Sequence, residues 1–192
     1  MEPAQEKFMS VFAQIQRDGA QDLLQYLQKS DFFTAPASNR RHLSVEGGLC
    51  LHSLHVYERL LKNLQNEYGK NVPYSLETIA IVALLHDVCK VNFYTIDYKN
   101  QKIDGVWQQV PYYKIEDTLP YGHGEKSVYI VNGFMRLTRE EAMAINWHMG
   151  AFDDRCKGMG MQTMSEAFSK FPLAFWLHIS DMQATYLDEQ SE

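Results

Sequence analysis

The sequence lacks most features of secreted and membrane-spanning proteins. It holds three cysteines in 192 residues, Cys50, Cys89 and Cys156, which lie far apart and form no CxxC pair. Such cysteines favour reduced thiols over a disulfide framework or a structural zinc ribbon. No apolar run approaches the ~20 residues that a membrane-spanning helix needs, and the first residues lack the pattern of a signal peptide. We therefore expect a cytoplasmic protein with no membrane partner.

Positive charge is also scarce. Eighteen Lys and Arg residues stand against twenty-four Asp and Glu residues, which gives a formal net charge of −6. This balance argues against long nucleic acids as partners, because these bind through clustered cations, although a local basic cleft stays compatible with it. Hydrophobic residues make up 45% and charged residues 22%, as in ordinary globular proteins. The length corresponds to about one domain, so we expect a single domain over residues 1–192.

Apolar residues recur at helical spacing through most of the chain. Phe8, Val11, Phe12 and Ile15, for example, follow the i, i+3, i+4, i+7 pattern of an amphipathic helix. The spacing and capping signals predict two short helices within 1–39, a long one over 47–68, an apolar central one after Ser75, one after Gly124, one from Thr138 where a capping box begins, and a last one from Pro172 to about Asp188.

Residues 92–116 follow a different pattern. β-Branched and aromatic residues dominate 93–98 and 106–110, and Asp104-Gly105 separates the two runs. Asp-Gly is a typical two-residue turn of a β-hairpin. We therefore predict a small β-hairpin inserted into an all-α bundle. Its aromatic side chains suit either stacking against a nucleobase or packing against the helices.

Residues that bind metals occur beside apolar helical runs. His86 and Asp87 end the run Ile81–Leu85, and a buried carboxylate there is costly unless it is paired or metal-bound. Taken alone, this pair is as compatible with a helix cap and a core histidine as with a metal site. Further candidates on or beside other helices favour a metal site, and these are His52 with His55, His123, His148 and Asp181. Imidazole and carboxylate ligands suit Mn, Fe, Zn, Ni or Mg, and six of them could hold two ions.

These residues lie in motifs that resemble the HD superfamily of metal-dependent phosphohydrolases, which is named for a His-Asp doublet at the end of a core helix. The similar segments, in the family's order, are GGLCLHS (47–53), LLHDVCK (84–90), GHGEKS (122–127), WHMG (147–150) and HISDMQA (178–184). The first of these segments assigns the ligand to His52 rather than to His55. The resemblance covers roughly residues 40–190.

The resemblance implies an all-α HD domain that carries two divalent metal ions. One ion would bind His52, His86, Asp87 and Asp181. Asp87 would bridge to a second ion, which His123 and His148 would hold.

The resemblance also implies hydrolysis of a phosphoester or phosphoanhydride in a nucleotide or another small phosphorylated metabolite. Asp87 and Lys90 are then the expected catalytic residues, because the family's lysine at this position lies near the site. Lys126, Arg40 and Arg41 are the further candidates for binding the substrate's phosphate. For each cation, a solvated surface position is the alternative.

Two departures from the family pattern matter. Cys89 occupies a position where glycine is common, and the hairpin at 92–116 is longer than a bare HD core requires. The substrate rules of other family members should therefore not be carried over to this chain. Two other functions also stay open at this point. One is an HD-fold diiron oxygenase, which uses the same order of ligands. The other is a metal-stabilised binding or sensor module without turnover.

Overall fold

The computed structural model describes residues 3–189, and within them the chain is mostly helical with one antiparallel β-hairpin, as predicted. The α-helices of this part are α1 (Pro3–Phe12), α2 (Ala20–Lys29), α3 (Gly48–Tyr68), α4 (Leu76–Leu85), α5 (His123–Asn132), α6 (Arg139–Trp147), α7 (Gly160–Lys170) and α8 (Pro172–Gln183). The strands are β1 (Tyr94–Ile103) and β2 (Val106–Ile115). Short 3-10 turns cover Val88–Lys90, Gly150–Phe152 and Asp154–Cys156, and a π-helical turn, Ala184–Asp188, continues α8.

Helix α4 lies at the centre of the fold, as its apolar sequence predicts. Each residue from Ile79 to Leu85 is at most 1% exposed, and the helix packs against α1, α3 and α6. Burying one such aliphatic side chain contributes about 1.5–3 kcal/mol. The N-terminal helices belong to the same hydrophobic core through side chains such as Phe8 and Leu23. The extent of one HD domain over 1–192 stays a prediction.

A buried ion pair ties the start of α6 to the N-terminal part of the chain. Thr138 and Glu141 form the predicted capping box, in which each side chain bonds to the other's backbone N–H. Glu141 is fully buried and also accepts two hydrogen bonds from the Arg17 guanidinium, at 2.6 and 3.0 Å. The hydroxyl of Thr78 donates to the same carboxylate at 3.0 Å. Three separate parts of the chain therefore meet at one buried carboxylate.

The hairpin has the predicted turn but longer strands. Ile103 pairs with Val106 around Asp104-Gly105, whose φ angles of 49° and 85° are both positive, as a type I′ turn requires. The pairing continues for ten residues in each strand, well past the runs predicted over 93–98 and 106–110. Residues 99–102 near the turn are Lys, Asn, Gln and Lys, which do not favour a strand by themselves. Pairing with the opposite strand keeps them extended.

One face of the hairpin carries large apolar side chains that are open to solvent. Ile96, Tyr98 and Trp107 lie on this face and are 65%, 61% and 70% exposed. The aromatic side chains at the tip therefore do not pack against the helices. At the base of the hairpin, by contrast, Tyr94 and Ile115 line the cleft that is described below. In residues 3–189, no helix is long and apolar enough to cross a membrane.

Candidate metal centre

The structure brings the six predicted metal ligands together. His52 comes from α3 and Asp181 from α8, and His123 is the first residue of α5. His86 and His148 each follow the last residue of a helix, α4 and α6 respectively. Asp87 directly precedes the 3-10 turn Val88–Lys90 and is the residue that contacts most of the others. His52, His86, Asp87 and His148 are all at most 2% exposed.

Asp87 lies in the middle of the group. Its Oδ1 is 2.8 Å from His123 Nε2 and 3.4 Å from His148 Nε2. Its Oδ2 is 3.6 Å from His52 Nε2 and 3.5 Å from His86 Nε2. Each oxygen of the carboxylate therefore faces a different pair of imidazole rings.

His86 and His148 are oriented by the same local device. Each ring donates Nδ1–H to the carbonyl oxygen three residues earlier, Ala83 at 2.8 Å and Ile145 at 2.6 Å. A ring that donates from Nδ1 in its neutral form leaves a lone pair on Nε2. The Nε2 atom of His148 is buried and has no hydrogen-bond partner among the described residues. Leaving such a buried group unsatisfied costs about 1–3 kcal/mol, and a metal ion would satisfy it.

His52 also faces the other candidate ligands with its Nε2 atom. Its Nε2 is 3.2 Å from both His86 Nε2 and Asp181 Oδ1. Burial alone would lower the pKa of His52, but hydrogen bonds with Asp181 and Glu189 raise it to about 10. A divalent ion at this position would compete with a proton for Nε2, as in other sites where metal binding releases protons.

The donor set fits divalent metal ions. The described residues contain four groups of three side chains whose ligand atoms all lie within 4.8 Å of one another. These groups are His42/His52/Glu189, His52/His86/Asp181, His86/Asp87/His148 and Asp87/Cys89/His123. The ligand atoms are imidazole nitrogens and carboxylate oxygens, with one thiol at the side. Such donors suit Mn, Fe, Zn, Ni or Mg rather than Ca²⁺.

Cys89, the departure from the family pattern, packs beside His123. Its Sγ lies 3.5 Å from Nδ1 and 3.6 Å from Nε2 of the ring. Because these two distances are almost equal, the sulfur contacts the ring without pointing along either nitrogen's lone pair. The backbone N–H of Cys89 donates to Ser127 Oγ at 3.1 Å, which ties the 3-10 turn to α5. The residue thus supports the position of His123.

Three of the four predicted phosphate-binding cations line a cleft above this group. Lys90 is largely buried and its Nζ lies 2.6 Å from Asp87 Oδ2. Burial lowers the pKa of Lys90, but the charge of Asp87 outweighs this effect and keeps the pKa above its usual value. Arg40 and Arg41 are exposed on the loop that precedes α3 and also line the cleft.

Lys126, the fourth predicted cation, is placed elsewhere. Its side chain is 7% exposed, and its Nζ lies 2.6 Å from Asp117 Oδ1 and 4.9 Å from the centre of the Phe93 ring. It is not among the residues that line the cleft. This position gives Lys126 a structural role at the base of the hairpin rather than a place in the cleft.

The cleft has a volume of about 970 Å³. His52, Asp87, His123 and Asp181 reach into it. Its walls combine the polar loop 37–42 with aromatic side chains from three parts of the chain, namely Phe93, Tyr94, Phe152 and Tyr186. The cleft can therefore accept a molecule that has both an anionic and a planar or apolar part.

One residue of this site, Glu189, is not indicated by the sequence. Glu189 is 5% exposed and contacts both His52 and His55. Burial alone would raise the pKa of Glu189, but hydrogen bonds from these two rings lower it to about 2. Its neighbours in the chain, LDEQ (187–190), look like an exposed helix end. Nothing in the sequence therefore indicated a buried carboxylate at this position.

Two histidines without a predicted ligand role also lie near the centre. His42 lines the cleft, and its ring centre is 5.0 Å from that of His52. Burial and the positive charge of His52 lower the pKa of His42 to about 4. His178 donates from Nδ1 to the carbonyl oxygen of His148 at 2.7 Å and so holds the end of α6 in place.

No protein-family model, curated protein or solved structure matches this chain. The described residues form a helical protein with buried His/Asp clusters that could hold metal ions.

Proposed function

We propose that this protein is a metal-dependent phosphohydrolase of the HD type, which hydrolyses a phosphoester or phosphoanhydride in a nucleotide or another small phosphorylated metabolite. One observation carries the proposal. Six candidate ligand side chains from five separate parts of the chain converge beneath a cleft that also contains Lys90, Arg40 and Arg41. A site that only stabilised the fold would need neither the open cleft nor the adjacent cations.

In this proposal Asp87 would help to hold both of two divalent ions. His52, His86 and Asp181 would complete the ligands of one ion, and His123 and His148 those of the other. Divalent cations in such a site supply a hydroxide nucleophile near neutral pH and neutralise negative charge on a phosphoryl group.

The chain's own residues bind and orient the substrate. Lys90 lies beside Asp87 and would hold an oxygen of the phosphoryl group through its ammonium group. Burial would raise the pKa of Asp87, but the charges of Lys90 and His86 outweigh this effect and keep it well below its usual range, so the carboxylate stays ionised. Arg40 and Arg41 would bind further phosphate oxygens from the loop that precedes α3 and lines the cleft.

The proposal is tested by metal analysis combined with a screen of phosphorylated metabolites, run with and without oxygen. We expect release of phosphate, or of a phosphorylated product, in the presence of redox-inert Mg²⁺ or of Mn²⁺, at the same rate under both atmospheres. Turnover that requires iron and consumes oxygen would make the protein an oxygenase. A metal-loaded protein that converts no phosphorylated compound would instead favour a binding module.

The number of bound ions tests the ligand assignment. We expect the wild-type protein to bind close to two divalent ions per chain. A double variant, His123→Ala with His148→Ala, should bind one, because both replaced rings serve the same ion. Plasma emission spectrometry on dialysed protein measures this ratio. His42→Ala is the matched control, since His42 lines the cleft without belonging to the proposed ligands, and it should keep two ions. A wild-type protein that binds a single ion at saturation would contradict the binuclear assignment.

Shortening the hairpin within residues 97–110 should alter substrate preference more than metal content. Tyr94 and Ile115 at its base pair with each other and line the cleft, whereas no hydrogen bond or ion pair of the described residues joins 97–110 to a proposed ligand. An Asn-Gly turn that joins the shortened strands would keep their register. Steady-state kinetics on several substrates and metal analysis on the same preparation measure the two effects. A folded variant with unchanged KM for every substrate would show that the hairpin has no part in recognition.

A further inference from the structure

Glu189 makes contacts that the proposed mechanism does not use. Its side chain is fully buried, and both carboxylate oxygens lie 3.0 Å from Nδ1 of His52. Oε1 also lies 2.8 Å from Nδ1 of His55. One carboxylate therefore joins two histidines of α3 at Nδ1 of His52, whose Nε2 faces Asp87 and Asp181 instead. Glu189 also lines the cleft.

A local change in helix geometry puts Glu189 in this position. Helix α8, which carries Asp181, continues as the π turn, and the N–H of Glu189 donates to the carbonyl oxygen of Ala184, five residues earlier, at 3.1 Å. A π turn holds more residues than an α turn, so it rotates the residues that follow about the helix axis. Such turns often occur at functional sites. Here the rotation brings a second carboxylate of the same helix to His52.

Polar residues at helical spacing on α3 hold this segment in place. One turn after His55, Arg59 donates from Nε to Asp188 Oδ2 at 2.7 Å. One turn further, Asn63 donates to the side-chain oxygens of Ser180 and Gln183, at 3.0 and 2.8 Å. Contacts along about three turns of α3 thus fix the position of Glu189.

We propose that Glu189 is a positioning residue of the metal centre, which holds His52 with its hydrogen on Nδ1 and its Nε2 lone pair directed at the ion. The proposal rests on the metal site of the proposed function. Ligating histidines usually donate their second N–H to a carboxylate or carbonyl group, which fixes the ring and raises its basicity. His86 and His148 use backbone carbonyls for this purpose. His52 alone of these three rings has a charged acceptor, and His55 holds that acceptor from its other side.

Metal affinity is the decisive measurement, because it does not depend on turnover. We would titrate Mn²⁺ into metal-free protein for the wild type, Glu189→Ala and Glu189→Gln. Loss of such an outer carboxylate typically weakens metal binding about 10- to 100-fold, and we expect this loss for Glu189→Ala. Glu189→Gln keeps the volume and one acceptor oxygen but loses the charge, so its Mn²⁺ affinity should fall less than that of Glu189→Ala. This second variant keeps the test valid if the alanine protein does not fold.

Glu141→Gln is the matched control. It neutralises a carboxylate that is buried like that of Glu189 but pairs with Arg17 and contacts no proposed ligand. It should keep the wild-type affinity for Mn²⁺ even if its melting temperature falls. Nitrogen-15 NMR of the Zn²⁺-loaded protein gives a second readout. We expect the His52 resonances of the wild type to report a hydrogen on Nδ1, and those of Glu189→Ala to show that this hydrogen exchanges faster with water.

Three results would overturn the proposal. Unchanged Mn²⁺ affinity in both Glu189 variants would leave the residue with a purely structural role. A full loss of one bound ion, with normal affinity for the other, would make Glu189 a direct ligand, as its proximity to His42 and His52 also permits. A wild-type protein that binds no divalent ion would overturn the metal centre as well. If the wild type binds metal but hydrolyses nothing, only the proposed function fails.

Discussion

Asp87→Asn should fold, bind divalent metal far more weakly than the wild type and lose at least ~10²-fold in rate, the scale of a lost major electrostatic element in catalysis. The variant keeps the size of the side chain and one carbonyl oxygen. It removes the negative charge that faces four imidazole nitrogens within 3.6 Å and the ammonium group of Lys90 at 2.6 Å. A neutral amide is less costly to bury than an unpaired carboxylate, so folding should survive the change.

Metal content, melting temperature and turnover of this one variant separate two roles for Asp87. Asp117→Asn is the matched control, because Asp117 also accepts a hydrogen bond of 2.6 Å from a lysine, Lys126, but lies outside the proposed ligand set. It should keep both metal and rate. If Asp87 were only an ion-pair partner, Asp87→Asn would lower the melting temperature while the metal content and the rate per folded molecule stayed constant.

Glu141→Ala should produce the largest loss of stability away from the metal centre. The change leaves the Arg17 guanidinium, the Thr78 hydroxyl and the Thr138 N–H without their shared acceptor. Removing one partner of a buried ion pair costs about 3–5 kcal/mol. At roughly 2–4 °C per kcal/mol for a chain of this size, the melting temperature should fall by about 10 °C. Calorimetry or urea unfolding on metal-free protein measures the effect.

Glu166→Ala is the control for this experiment. Glu166 forms an exposed i, i+4 pair with Lys170, and such surface pairs contribute less than about 1 kcal/mol. Its removal should therefore leave the free energy of unfolding almost unchanged. An equally small effect of Glu141→Ala would show that the network around Arg17 adds no net stability.

The same carboxylate makes stability depend on pH. Burial raises the pKa of Glu141, but the bonds from Arg17, Thr138 and Thr78 outweigh it and lower the pKa below the ordinary value of 4.5. A group whose pKa falls on folding contributes its stability above the pKa of the unfolded chain and loses it as pH falls through the folded value. The difference in unfolding free energy between the wild type and Glu141→Gln should therefore shrink as pH falls below 4.5.

Local signals in the sequence predicted much of the fold. The type I′ turn at Asp104-Gly105 and the capping box at Thr138 follow from residue preferences that act over two to four residues. Helix α4 follows from an apolar run too continuous for a surface helix. Helix α7 was not predicted, because of its eleven residues only Ala167 is buried and the rest give little apolar periodicity.

The candidate site could be predicted only as far as its motifs extend. The ordered His and Asp positions indicated a shared centre, and the structure places them beside one another. Two other features depend on tertiary contacts that no local pattern encodes. Lys126 follows His123 closely in the chain, yet Asp117 and Phe93 draw its side chain away from the cleft. Glu189 reaches His52 only because α8 widens into a π turn.

The base of the hairpin has a consequence for local unfolding. The N–H of Glu116 donates to the carbonyl oxygen of Phe93 at 2.9 Å, so the chain leaves the helical bundle and returns to it at one point. Beyond this point the exposed side chains at the tip add little burial, and segments of this kind open at a lower free energy than the core. The strand amides would therefore exchange with solvent while α4 and its neighbours stay closed. Local opening of the hairpin is thus separated from the helices that hold the candidate metal ligands.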